Sequence, residues 1–324
     1  MEAVVVREFG PAENMHLERV PDPVPPPGSV RIAVAAAGVH VVDTRVRAGR
    51  QLGPFPLPEL PYIPGREVVG TVESVGAPAD EHLLGAEVAV SLGNANGGYA
   101  PLAITPAAAL HLVDPTLDPA TAATMVGTGR TALGLLDAAA LTGDDTVLVT
   151  AAAGGVGSLL VQLAHRAGVP VVAVAGGPAK AEIALGLGAT LAVDYLDADW
   201  PSCVRAAGLR PTVLFDAVGG RFGDAAIDLL ERGGRVVAFG DVAGSIDTTD
   251  AQLADRDITR AIGVGPGSKF TPENIRRWAA QALAMAAAGE LTATTTRFSL
   301  ADAANAHARL ESRTTIGKVV LDVA

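Results

Sequence analysis

Cysteine is nearly absent from this chain: Cys203 stands alone among 324 residues. No intramolecular disulfide can form, and a zinc site built from several thiolates is excluded. Aromatic residues make up only 4% and charged residues 18%. Lysine is scarce too, occurring at 180, 269 and 318 only, so the placement of any one lysine is informative. No basic stripe is visible, and 24 basic against 35 acidic residues leave a net charge of −11, which argues against nucleic acid as a partner. The start Met1-Glu2-Ala3-Val4-Val5-Val6-Arg7 lacks a basic region followed by an apolar one. No signal peptide is expected, and a cytoplasmic protein is the default.

Apolar residues reach 49%, which excludes a disordered chain and implies a core of small aliphatics. The length suggests about two domains. One run, Thr146 to Ala164, is long and uncharged enough to suggest a membrane span. Gly154, Gly155 and Gly157 interrupt it, after the β-branched Val147-Leu148-Val149 and before a helix-like Ser158 to Ala167. A buried strand, a glycine turn and a helix are expected there, and no membrane association.

The first 120 residues are rich in proline and glycine and read as short strands and turns, with strands at Val4 to Val6, Ser29 to Ala36, Val68 to Val75 and Glu87 to Ser91. Pro119 to Ala140 reads as a helix broken by Gly127 and Gly129. Strands then alternate with helices. Strands are expected at Thr146 to Thr150, Val169 to Ala175, Ala189 to Asp194, Thr212 to Ala217 and Gly234 to Phe239. Nearly all-apolar strands in that alternation indicate a parallel sheet covered on both faces. Helices near Trp278 to Gly289 and Ala301 to Glu311, then a strand from Gly317 to Val323, return to the first domain. Trp200 and Trp278 read as packing residues.

The turn Ala151-Ala152-Ala153-Gly154-Gly155-Val156-Gly157-Ser158 lies on the dinucleotide pattern G-x-G-x-x-G with Ala152 in the first glycine place. Gly154 lets backbone N–H groups approach a pyrophosphate, and Gly157 lets the helix pack closely on the strand. A tight turn that binds nothing is the plain alternative. About 20 residues on, a dinucleotide with a free 2′-hydroxyl usually meets a carboxylate. Here the second strand ends Ala175-Gly176-Gly177-Pro178-Ala179-Lys180. With no carboxylate there and a lysine close by, NADPH is expected over NADH. A solvated helix-start lysine is the alternative for Lys180.

These residues resemble the zinc-independent quinone oxidoreductases of the medium-chain dehydrogenase/reductase superfamily. The likeness is carried in order by Ala36 to Asp43, Pro64-Gly65-Arg66-Glu67-Val68-Val69-Gly70, Gly97-Gly98-Tyr99-Ala100, Gly129-Arg130-Thr131-Ala132 and the Ala151 to Ser158 turn. Phe215 to Gly220, Gly233 to Gly240, and Leu310 to Arg313 through Gly317 to Leu321 complete it. The resemblance implies an α/β fold, a GroES-like β-rich catalytic domain (1–121 and 268–324) and a Rossmann doubly wound domain (122–267). It implies that Gly154, Gly155 and Val156 face the pyrophosphate and that Lys180, Tyr195 and Arg313 hold the 2′-phosphate. Gly157, Gly176, Phe239, Gly240 and Val264 complete the expected cofactor site. Asp43 and Thr131 lie near the nicotinamide end, with His40 and Arg45 bordering it. Relatives are commonly homodimers.

The zinc-dependent branch has cysteine where this chain has His40 and histidine where it has Arg66, so no metal is expected. Two departures stand out. Asparagine is usual in the family at His40, and an aromatic is frequent at Arg45. His40 either donates a hydrogen bond or proton to the acceptor, or replaces asparagine's hydrogen bond to the cofactor. No nucleophile elbow, H-E-x-x-H or P-loop occurs. His16, His82, His111, His165 and His307 read as surface or core residues. Hydride transfer from NADPH to a quinone is expected, with reduction of an activated C=C bond in an enone or enoyl thioester as the alternative, and a non-enzymatic NADPH-binding role as a third.

Overall fold

The computed structural model describes residues 1–51, 56–263 and 267–323. The chain divides into two units, Met1–Thr128 with Ala279–Ala324, and Gly129–Trp278. Both divisions fall within helical stretches, later along the chain than the boundaries at 121 and 267 that the resemblance implies.

The first unit begins with β1 (Glu2–Val6) and β2 (Met15–Arg19), an antiparallel pair. It continues with β3 (Ser29–Val39), the helix Val41–Arg47, β4 (Glu67–Val75), β5 (Glu87–Ser91), β6 (Leu102–Pro106) and β7 (His111–Leu112). The second unit carries β8 (Val147–Thr150), β9 (Val171–Ala175), β10 (Leu191–Asp194), β11 (Val213–Asp216), β12 (Arg235–Ala238) and β13 (Thr259–Ile262). The chain then adds β14 (Thr295–Ser299) and β15 (Lys318–Asp322) to the first unit.

Among the described residues, the first unit's main sheet runs β14-β15-β3-β4-β5-β7, with β6 paired to β3. Along β3 the side chains alternate, so Val30, Ile32 and Val34 are buried between more exposed neighbours, the period of a half-buried strand. They pack with Val68, Val88, Val90 and Leu321 into one core.

The second unit's sheet is all parallel, in the order β10-β9-β8-β11-β12-β13. β8, β9 and β11 are buried at every residue, as continuous apolar runs covered on both faces must be. Strand order reverses between β8 and β11, and such sheets bind ligands outside the carboxyl ends at that reversal. Trp200 and Trp278 are both buried here. The uncharged run Thr146 to Ala164 resolves into β8, a turn and the helix Gly155–Arg166, and no described helix is long and apolar enough to cross a membrane.

One expectation changes form. Pro119 to Ala140 is not broken at its glycines: the helix Pro119–Thr124 passes through a π-helical turn, Met125–Gly129, into the helix Arg130–Ala139. The wide turn lays Gly127 against the Glu67 carboxylate, where an added Cβ would overlap the carboxyl group.

Candidate functional site

The glycine turn sits at the carboxyl end of β8. Gly154 caps the helix Gly155–Arg166 in an extended conformation, so the amides of Gly155, Val156 and Gly157 head the helix without intrahelical acceptors. Gly157 has no room for a side chain, because an added Cβ would run into the Ala151 carbonyl. Ala151 itself is left-handed, with φ of 49°. This close, amide-lined approach fits the pyrophosphate of a dinucleotide.

The neighbouring strand ends complete the rim. Gly176 follows β9, and a Cβ there would lie 2.6 Å from the Tyr195 hydroxyl, so these two expected residues are in contact. Lys180 follows in the helix Pro178–Gly186, where partial burial lowers its pKa. Gly240 follows β12 and abuts the Ala217 backbone at the end of β11, while the Phe239 amide donates to the Asp216 carbonyl at 2.8 Å. Val264 lies outside the described residues. Arg313 belongs to the first unit, on a left-handed residue (φ 58°) past the helix Ala303–Glu311.

Two acids beyond the sequence reading hold this edge in shape. Asp216, fully buried, accepts from the Thr150 hydroxyl at 2.6 Å and from the Val218 and Gly219 amides, tying β8 to β11. Burial raises its pKa against those bonds. Asp194, at the end of β10, accepts from the Gly177 amide at 2.8 Å. A carboxylate does therefore stand against the Gly176-Gly177 loop, supplied by the third strand where only the second was read.

A second polar cluster lies in the first unit, where β15, β3 and β4 run side by side. Val319 pairs with Val39 and Ala37 with Val68, so Lys318, His40 and Glu67, each one residue on, meet at one place. His40 Nε2 lies 2.8 Å from Glu67 Oε1 and 2.6 Å from Lys318 Nζ, and Nζ lies 3.2 Å from Glu67 Oε2. The His40 amide donates to Asp43 Oδ2 at 2.9 Å, closing the first turn of the helix Val41–Arg47, and Nδ1 of its ring faces the same oxygen at 3.2 Å. Arg66 pairs with Asp43 from the other side at 3.2 Å. Gly38 makes room for the group, since a Cβ there would come within 2.6 Å of Glu67 Oε2.

Burial would lower the His40 pKa, but the Glu67 charge and the Asp43 and Glu67 hydrogen bonds raise it above the ordinary value, against Lys318. Burial would raise Asp43, yet hydrogen bonding and charge at His40 hold it below the usual carboxylate range. Nearby, the Tyr99 hydroxyl and His307 Nε2 are 3.0 Å apart, and burial drives His307 down to about 4.

Of the four expected catalytic residues, the structure brings His40 and Asp43 into contact and puts Arg45 on the same short helix. Thr131 lies in the second unit, in the first turn of the helix Arg130–Ala139. Glu67, Lys318, Tyr99 and His307 were missed as a cluster. Lys318 was the one with a signal: a scarce lysine just before the apolar run Val319-Val320-Leu321. Among the described residues no group of three or more His, Cys, Asp or Glu is arranged to hold a metal ion.

Two domain families match the chain: the alcohol dehydrogenase GroES-like domain over residues 26–115 and the zinc-binding dehydrogenase domain over 155–282. A probable quinone oxidoreductase of Schizosaccharomyces pombe is 31% identical, over 98% of this chain and 96% of its own. A 2-haloacrylate reductase of Burkholderia is also 31% identical, over 99% of this chain and 98% of its own. The solved structure of a mycobacterial protein complexed with NADPH superposes with a TM-score of 0.86 at 32% identity, over 100% of both chains. With its GroES-like and Rossmann parts and a full-length likeness of this kind, the chain belongs to the quinone oxidoreductase group of the medium-chain dehydrogenase/reductase superfamily.

Proposed function

We propose that this protein is an NADPH-dependent reductase that delivers a hydride to a quinone. The observation that carries the reading is the edge at β8 and β9: an amide-lined glycine turn at the strand-order reversal, then a second strand that ends in Gly176-Gly177 with Lys180 one helical turn on. A cation there, with no carboxylate at the end of the second strand itself, suits a 2′-phosphate. The NADPH complex of the mycobacterial relative and the quinone named for the yeast relative support the same reading.

NADPH supplies the hydride when bound. The protein's part is to hold and orient. The amides of Gly155, Val156 and Gly157 would hold the pyrophosphate; Lys180 and Tyr195 would hold the 2′-phosphate; Gly176, Phe239 and Gly240 give the backbone a close approach. Reduction leaves negative charge on an acceptor oxygen, which the positive charge of the His40 ring and of Arg45 would stabilise. Asp43 orients the His40 ring through Nδ1, and Nε2 faces Glu67 and Lys318. A cytoplasmic homodimer working without zinc belongs to the same proposal.

Reduction of an activated C=C bond is the second reading, favoured by the likeness to a 2-haloacrylate reductase. The test is NADPH consumption by purified protein with an ortho-quinone and, in parallel, an α,β-enone, with products identified. Turnover of the quinone is the expected result. A saturated ketone from the enone alone would move the assignment to double-bond reduction, and failure to bind NADPH would overturn both.

A further inference from the structure

We infer that Asp194 is a positioning residue for the 2′-phosphate end of the dinucleotide, and one that works against itself: its hydrogen bonds shape the phosphate loop while its charge opposes the phosphate. The inference deepens the NADPH reading and rests on it.

The geometry is local and closed. β9 and β10 are adjacent and parallel, with Asp194 paired to Ala175, so its carboxylate stands beside the turn that follows β9. One oxygen, Oδ1, accepts from the Gly177 amide at 2.8 Å and from the Leu196 amide at 2.9 Å. Gly177 has φ of 103°, a conformation that side chains rarely adopt, and it caps the helix that carries Lys180. The Lys180 amide donates to the Gly177 carbonyl at 3.1 Å. On the other side of Asp194, the Tyr195 amide donates to the Ala175 carbonyl at 3.0 Å, and the Tyr195 hydroxyl fills the space that a side chain at Gly176 would need. The Tyr195 ring is backed by Phe222, 4.7 Å between centroids. Both residues proposed for the phosphate in this unit are thus placed by the loop that Asp194 holds.

The two effects separate by substitution. An amide in place of the carboxylate keeps an oxygen that can accept both N–H groups and removes the charge. A methyl removes both. Wild type, Asp194→Asn and Asp194→Ala are titrated with NADPH and with NADH, following nucleotide fluorescence, at low and moderate salt. Asp194→Asn should bind NADPH about threefold more tightly at low salt, with the gain shrinking as salt screens the charge. Asp194→Ala should bind NADPH about tenfold more weakly, because the loop loses the acceptor of two amides. The preference for NADPH over NADH should rise in the first variant and fall in the second.

Equal weakening of NADPH and NADH by both substitutions would overturn the inference and leave Asp194 a general fold residue. An unchanged NADPH constant in Asp194→Ala would overturn it as well. A wild type that does not prefer NADPH would overturn the cofactor reading itself, visible before either variant is made.

Discussion

At the scale of single residues, the Lys318–Glu67–His40 contact sets the largest local stakes. Lys318 and Glu67 are only 4% and 2% exposed, so removing the Lys318 charge takes a buried counter-charge from Glu67 and leaves it to the His40 ring. Lys318→Met should destabilise the first unit by roughly 3–5 kcal/mol, and adding Glu67→Gln should recover a substantial part, measured as a double-mutant cycle in urea. Additive losses would show that the pair is not coupled. His40 adds a chemical readout. Nε2 has one proton site and two partners, so with its proton it donates to the Glu67 carboxylate and without it accepts from the Lys318 ammonium; the two contacts are alternatives set by that proton. His40→Asn removes that site while keeping a short polar side chain. If His40 stabilises charge on the acceptor, kcat with a quinone should fall by about 10- to 100-fold with little change in KM for NADPH. A change confined to the KM for NADPH would instead make His40 a cofactor contact.

At the scale of elements, the strand–turn–helix unit around Gly157 has no slack. An added Cβ meets the Ala151 carbonyl, so Gly157→Ala must push the helix Gly155–Arg166 away from β8. A loss of about 1–3 kcal/mol is expected from such overpacking, with weaker NADPH binding as the amides move. Unchanged stability and affinity would show that the turn can relax. Ala151 offers the opposite test. A left-handed alanine is disfavoured by roughly 1–2 kcal/mol, and glycine's extra unfolded-state freedom returns about 0.5–1 kcal/mol of that. Ala151→Gly should therefore raise stability slightly, by about 0.5–1 kcal/mol, in thermal or chemical denaturation. The π-helical turn follows similar packing logic: the chain widens where Gly127 passes the Glu67 carboxylate.

At the scale of the whole molecule, acid should weaken the two units over different pH ranges. His307, in the first unit, has its folded pKa depressed by burial from about 6.5 to about 4. The unfolded chain therefore binds the extra proton first, and stability is full above about pH 6.5 and falls toward pH 4, by about 3 kcal/mol in all. His40 has the opposite sign: its raised pKa contributes stability that is full below about pH 6.5 and is lost as pH rises through the folded value. Asp145, in the second unit, is held near 2 by Arg235, Thr212 and the Thr142 amide against the opposing effect of burial, so its contribution is lost only below about pH 4. Urea titrations at pH 7.5 and 4.5 should show His307→Gln losing less stability on acidification than wild type. An identical loss would mean that His307 is not the titrating group.

The sequence by itself determined the fold class, the alternation that builds the parallel sheet, and the glycine turn with Lys180, because apolar periodicity and backbone-limited positions are local properties. It did not reveal β14, whose residues are half exposed and owe their strand to pairing with β15. Nor did it reveal that Lys318, Glu67 and His40 are neighbours, or that Asp194 stands behind the Gly176-Gly177 loop. Those facts were decided by tertiary structure, because side chains 278 residues apart meet only when strand order and register bring their ends together.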